Sequence, residues 1–349
     1  MSGTTGVLLL NLGTPDAPTT PAVRRYLAEF LSDPRVIDLP SPARWLLLHG
    51  LILRTRPRRS AAQYRSIWTD AGSPLLVHGR ALHDAVAQAL GEGFRVELAM
   101  RYGRPDVPSA LDELCRAGVS RIVLLPLFPQ YSEAATGSAV ARVREVLARR
   151  SDAPPLQVCG DFFDDPGFIA AFSEVARPVL DAFRPEHVLL SYHGLPERQI
   201  RALDASGRHC LASDDCCASV GAVNRLCYRA QCFATSRALR ASLGLSEQDS
   251  SVTFQSRLGP TTWIRPYTDV RLEELAREGV KRVAVLCPAF VADCLETLEE
   301  IEIRAREQWQ ELGGDALALV PSLNAHPRWV TTVVELVRGT AQLEPGSAG

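Results

Sequence analysis

Short, almost unbroken apolar runs alternate along the chain with longer segments of helical periodicity. Val7–Leu10 is the first such run, and a helical pattern follows from Pro21 to Leu31. Further runs lie at Arg95–Met100, Arg121–Pro126, Leu156–Cys159, Val188–Tyr192, Val252–Gln255 and Val283–Cys287. Continuous rather than alternating apolar character predicts strands covered on both faces, and so parallel sheets flanked by helices. The regular succession of strand and helix predicts the α/β class. No apolar run reaches about 18 residues, so no segment is expected to span a bilayer.

A weak internal repeat refines this pattern. Gly118–Phe128 is similar to Gly279–Phe290, and the Val7 strand with its Gly-Thr loop echoes Val188–Gly194. Two similar α/β halves are expected, a first domain over 1–165 and a second over 166–335, with 336–349 as a tail. The last helix crossing back to the first half remains an alternative. In open α/β sheets ligands bind beyond the carboxyl ends of the strands. The segments to watch are therefore Asn11–Pro15, Arg101-Tyr102, Pro129–Ser132, His193–Pro196, Gln255–Arg257 and Phe290–Glu300.

The chain has 349 residues, which at roughly 100–200 residues per domain agrees with two domains. Its 38 Lys and Arg against 40 Asp and Glu give a net charge of −2, which excludes nucleic-acid binding held by charge alone. No signal-peptide pattern opens the sequence, so a cytoplasmic protein is expected. Five of the nine cysteines fall between Cys210 and Cys232. In a reducing compartment such clustering suggests a metal rather than disulfides. Trp45–Leu53 is apolar and leads into Arg54, Arg56, Arg58 and Arg59. That combination fits a surface helix or lip resting on a membrane, or equally a core helix leaving through a basic turn.

His193 follows a buried strand and precedes a Gly-x-Pro turn, which would hold its imidazole at a cleft mouth. After another strand, Glu296, Glu299, Glu300 and Glu302 crowd one helical segment. Glu296 and Glu300 are four apart and share a face, where two carboxylates repel unless a proton or cation lies between them. Glu299 and Glu302 read as a solvated acidic face. Imidazole with carboxylates suits ferrous iron, and imidazole can also take protons near neutral pH. There is no His-x-x-x-His, phosphate-binding loop or Gly-x-Gly-x-x-Gly, so zinc-protease, kinase and dinucleotide readings lack support.

Leu10–Pro15, Gly72–Leu75, Met100–Gly103, Ser191–Pro196, Phe254–Arg257 and Asp293–Leu298 together resemble the ferrochelatase family over about residues 5–335. That resemblance implies two Rossmann-like domains with a porphyrin cleft between them. It also implies insertion of ferrous iron into protoporphyrin IX, the terminal step of haem synthesis. Coproporphyrin III as substrate, or a non-catalytic porphyrin or haem carrier, are the alternatives. His193 then resembles the metal-site histidine, Glu296 its partner and Glu300 the next acidic residue of a metal or proton path. Arg304 stands where some relatives continue that acidic row. Leu12 matches the position on the opposite side of the macrocycle, and its aliphatic character resembles the protoporphyrin branch. Ser73, Arg101, Tyr102 and Trp263 match cleft-lining positions, with Arg101 expected at a propionate. Residues 41–60 match a membrane-facing lip, so a peripheral membrane contact is expected. A monomer or homodimer is expected, with no nucleic-acid partner.

The stretch 204–227 is additional to the family pattern. It resembles an internal version of the cysteines that hold a [2Fe–2S] cluster in some bacterial ferrochelatases. Cys210, Cys217, Cys227 and Cys232 are the expected ligands, with Cys216 as substitute, because adjacent side chains tend to point apart. Four thiolates also suit tetrahedral zinc, and an iron–sulfur redox protein is a further alternative. Cys115, Cys159, Cys287 and Cys294 read as packing residues.

Overall fold

The computed structural model describes residues 3–257, 259 and 261–342. The chain forms two units. One comprises 1–128, 133–160 and 327–349, and the other 129–132 and 161–326. Each holds one four-stranded parallel sheet, and both sheets have the same strand order, so the internal repeat in the sequence corresponds to a repeat of topology.

The first unit begins with β1 (Thr5–Thr14), whose Val7–Leu10 core is wholly buried. Next come α1 (Thr20–Ser32), α2 (Ser41–Leu47), a π-helical turn Leu48–Ile52, α3 (Leu53–Ile67) and α4 (Pro74–Leu90). Then follow β2 (Phe94–Gly103), α5 (Val107–Arg116), β3 (Arg121–Pro126), α6 (Ser138–Leu147) and β4 (Leu156–Val158). The sheet order is β2-β1-β3-β4, with Val7 opposite both Val96 and Val123. Leu8, Leu10, Ile122 and Leu124 project to one face and pack on α5 and α6. A strand alternates its side chains, so the intervening residues serve the opposite face, where α4 lies against β1 and β2.

The second unit opens with α7 (Pro166–Phe183). Its N-cap, Asp165, accepts from the amides of Gly167 and Phe168 at 2.9 and 3.0 Å, and Pro166 sits in the first turn, where no amide is needed. It continues with β5 (His187–His193), α8 (Glu197–Ala202), α9 (Tyr228–Leu243), β6 (Ser250–Gln255), α10 (Thr268–Arg277) and β7 (Arg282–Leu286). A π-helical segment Leu295–Ala305, α11 (Arg306–Glu311) and β8 (Ala316–Leu319) complete it. The order is β6-β5-β7-β8. Leu189, Val283 and Val285 pack with Leu272 and Leu275 of α10, Ile301, and the fully buried Trp309.

Two expectations change here. Strand β8 went unrecognised because its Ala-Leu-Ala-Leu lacks the β-branched residues that mark the other strands. The final helix, α12 (Pro327–Gln342), packs on α4, β3 and β4, so it belongs to the first unit rather than to a domain ending at 335. Residues 336–342 of the expected tail are helical, and 343–349 lie outside the described residues. α2 buries none of its residues, and Trp45, Leu46 and Leu51 are 57–66% exposed, while Leu48 and Leu53 are buried, so the Trp45–Leu53 stretch is held by two leucines and presents its other large apolar groups to solvent. Among the described residues no helix is long and apolar enough to cross a membrane.

Candidate active site and cysteine loop

β5 is central in its sheet, between β6 and β7, and its last residue is His193. The connection after β5 runs to β6 on one side and that after β7 to β8 on the other, so the strand order reverses between β5 and β7, the kind of place where α/β proteins bind ligands. His193 is partly exposed, and its Nδ1 lies 2.6 Å from the Gly194 carbonyl. A carbonyl only accepts, so Nδ1 carries the proton and Nε2 keeps its lone pair for a proton or a metal. The Phe290 ring meets the imidazole edge-on at 6.3 Å between centroids. Gly194 is required sterically, since a Cβ there would come within 2.8 Å of the Gln255 carbonyl and 3.3 Å of the Trp263 ring. Trp263 is 9% exposed and paired with Pro196, so it backs the His193 turn.

The acidic residues sit on the π-helical segment. Asp293 anchors its start by accepting from Thr297 Oγ1, Ser322 N and Asn324 Nδ2 at 2.8–3.1 Å. Glu296 and Glu300 are both partly exposed. Glu300 accepts from the amide of Ser256 at 2.9 Å and from its hydroxyl, and lies 3.9 Å from Arg304. Ser256 has φ of 68°, a left-handed conformation uncommon outside glycine, so the loop is bent to make this contact. Glu299 departs from the solvated role. It is 6% exposed and accepts Arg304 Nε with both oxygens at 2.9 and 3.0 Å. The wider turn of a π-helix keeps residues four apart adjacent but rotates those three apart away from each other, which separates Glu299 from Glu296. Burial, and secondarily the charge of Glu296, push the Cys294 thiol up, so this neighbour of the acidic row stays neutral, as a packing residue does.

In the first unit Leu12 is partly exposed at the end of β1. The turn after it depends on Gly13, whose φ is +126° and where a Cβ would fall 1.8 Å from the Tyr102 carbonyl oxygen. Ser73 is 3% exposed and accepts from Thr14 Oγ1 at 2.7 Å. Arg101 and Tyr102, the expected cleft-lining groups, also hold an internal carboxylate. The Arg101 guanidinium donates to Asp33 at 2.6 Å and to Ser138 Oγ at 2.7 Å. Tyr102 is 1% exposed, and its hydroxyl donates to the same Asp33 oxygen at 2.9 Å. Both bind a buried carboxylate, and the Arg101 side chain remains 15% exposed. Burial pushes the Asp33 carboxyl up, but hydrogen bonds from Ser138, the Arg35 amide and Tyr102, with the charge of Arg101, outweigh it and hold the carboxyl below its usual range. Asp33 was missed from sequence because nothing local marks a residue whose partner lies 68 positions away.

The cysteine loop, 204–227, contains no strand or helix. Asp204 ties its start by accepting from Ser206, His209 and Cys210 amides at 2.8–2.9 Å, and Asn224 ties its end to the carbonyls of Cys216 and Ser219. The thiols of Cys216 and Cys217 lie 3.7 Å apart on the same side, contrary to the expectation for adjacent residues. The neighbouring Cys227, together with burial, pushes the Cys217 thiol up. Cys232 is fully buried on α9 and bonded to Tyr228. The loop thus joins Cys210, Cys216, Cys217 and Cys227 and leaves Cys232 with Tyr228. Among the described residues no three His, Cys, Asp or Glu side chains gather round one point as a single metal ion requires.

The ferrochelatase family model matches residues 4–341. The ferrochelatase of Coxiella burnetii (strain CbuK_Q154) is 48% identical over 338 residues, covering 97% of this chain and 94% of that protein. That of Azotobacter vinelandii (strain DJ / ATCC BAA-1303) is 50% identical over 334 residues, covering 95% and 98%. Among solved structures, SirB from Bacillus subtilis with Fe3+ shares the fold at a TM-score of 0.54 and 12% identity, covering 97% of this chain and 96% of that one. The chain belongs to the ferrochelatase family.

Proposed function

We propose that this chain inserts ferrous iron into protoporphyrin IX and releases the two pyrrole protons, the terminal step of haem biosynthesis. The observation that carries the catalytic reading is the 2.6 Å bond from His193 Nδ1 to the Gly194 carbonyl, which leaves Nε2 as an acceptor at a strand end. Insertion requires two N–H protons to leave a planar ring, and a positioned base speeds that departure. His193 Nε2 takes a pyrrole proton or receives the iron. Glu296 balances the charge that develops, and Glu300, held by Ser256, is the second carboxylate of the path. Leu12, Ser73 and Trp263 are proposed to contact the macrocycle or its supporting turns, and the aliphatic Leu12 favours protoporphyrin. Anaerobic incubation with ferrous iron and protoporphyrin, beside a parallel reaction with coproporphyrin III, is expected to give haem absorption faster with protoporphyrin. A faster coproporphyrin reaction overturns the substrate. Binding without insertion of either makes the chain a carrier.

We further propose that Cys210, Cys216, Cys217 and Cys227 hold a [2Fe–2S] cluster. The adjacent thiols of Cys216 and Cys217, 3.7 Å apart, with the buried Cys210 and Cys227 of the same loop, supply the four thiolates that two irons take, two each. The Leu211 amide at 3.4 Å from Cys216 Sγ and Arg229 at 3.2 Å from Cys217 Sγ would stabilise the thiolates. Such a cluster would supply a redox-sensitive brace for the loop. Anaerobically purified protein is expected to be red-brown, with the visible bands lost in Cys216→Ser and kept in Cys232→Ser. A colourless protein containing zinc overturns the assignment. The bare α2 surface, with Trp45 63% and Leu46 66% exposed beside the arginines, supports a peripheral membrane contact.

A further inference from the structure

At the carboxyl end of β6 a single glutamine reaches both halves of the proposed chemistry, one through its backbone and the other through its side chain. Gln255 is 4% exposed and stands opposite His193 in the β5–β6 register. Its backbone carbonyl accepts from the Gly194 amide at 2.7 Å, and the Gly194 carbonyl is the one that orients the His193 imidazole. Its side chain extends the other way. Oε1 accepts from the Ser191 hydroxyl at 2.7 Å and, more weakly, from the Cys287 thiol at 3.8 Å. Nε2 donates to the backbone carbonyl of Glu296 at 2.7 Å. That carbonyl lies in the first turn of the π-helical segment. A donor entering from outside competes with the ordinary helical ladder and favours a wider turn.

We propose that Gln255 is a positioning residue for iron insertion, which holds open the first turn of the π-helical segment and keeps the Glu296 carboxylate in fixed relation to the His193 imidazole. This role presupposes that His193 and Glu296 are the reacting pair. The chemistry calls for an amide, because the Ser191 hydroxyl needs an acceptor while the Glu296 carbonyl needs a donor. A neutral carboxamide carries both at fixed separation. Gln255 and Ser191 are both buried, so the carboxamide bonds are not readily replaced by solvent.

Gln255→Met keeps the length of the side chain and removes both polar groups. The expected result is a fall in kcat of about ten-fold or more, with the protoporphyrin Kd, read by fluorescence quenching without iron, within about two-fold of wild type. Amide hydrogen exchange is expected to accelerate in 295–305 and not in 316–326. An unchanged kcat overturns the proposal. So does a parallel loss of kcat and porphyrin affinity with faster exchange throughout, which would mark general structural damage. Gln255→Asn retains polarity with a shorter reach and serves if the Met variant does not fold. The same kcat loss is expected, and wild-type kcat there also overturns the proposal. If the wild-type protein itself inserts no iron, the reading of His193 and Glu296 fails instead.

Discussion

His193→Ala is expected to lower the rate of iron insertion by about 10²–10⁴-fold, the range for loss of a positioned proton acceptor. Porphyrin binding should be largely kept, because affinity for a flat macrocycle comes mainly from its apolar area rather than from one imidazole. The basis is geometric. Nδ1 is occupied by the Gly194 carbonyl at 2.6 Å, so Nε2 is the nitrogen left to act. Alanine removes that acceptor while the backbone pairing of His193 with Gln255 survives. The check is anaerobic haem formation followed by absorbance, paired with fluorescence titration of porphyrin. Near-normal turnover in the variant would sink the assignment, and lost binding with lost turnover would recast His193 as a binding residue.

Asp33→Asn is expected to destabilise the first unit by about 3–5 kcal/mol, the cost of leaving a buried partner charge uncompensated. The Asp33 side chain is 4% exposed and that of Arg101 15%. Asparagine cannot neutralise the guanidinium, and its NH2 group would face the donors Ser138 and Tyr102 at one of its two positions. At 2–4 °C per kcal/mol, the melting midpoint should fall by roughly 10 °C at pH 7. The pH dependence has a defined sign. Folding lowers the Asp33 carboxyl, so its stabilisation is present above the ordinary carboxylate value of about 4 and is lost as pH falls through the folded value. The gap between wild type and variant should therefore narrow in acid. Equal midpoints at pH 7 would show that the ion pair contributes nothing net.

Much of the fold and the centre of the site were legible in the chain. Strands β1, β3, β5 and β7 could be read because burial on both faces leaves uninterrupted apolar runs. His193 was legible because a histidine directly after such a run must lie at a sheet's carboxyl end. Glu296 and Glu300 stood out because their density exceeds what a helix start needs. Glu299 was misread, since an α-helical projection does not foresee a π-helical turn that carries it inward to Arg304. The second partner of Arg101 was hidden because a charged residue at a strand end gives no local sign of an internal carboxylate 68 positions away. Gln255 lay within a recognised motif, but its role depends on Ser191 and Glu296, which are 64 and 41 positions away.

The sequence by itself determined the α/β class, the division into two similar halves, and the placing of one histidine at the end of a strand and two carboxylates on one helical segment of the second half. These follow from local periodicity, which needs only near neighbours. Tertiary structure alone decided that α12 closes the first unit, that Asp33 pairs with Arg101, and that Cys216 and Cys217 turn their thiols to one side. The physical reason is that burial and hydrogen-bond partners are assigned by the packed chain. A buried polar group takes whichever partner the fold brings within about 3 Å, however distant it is in sequence.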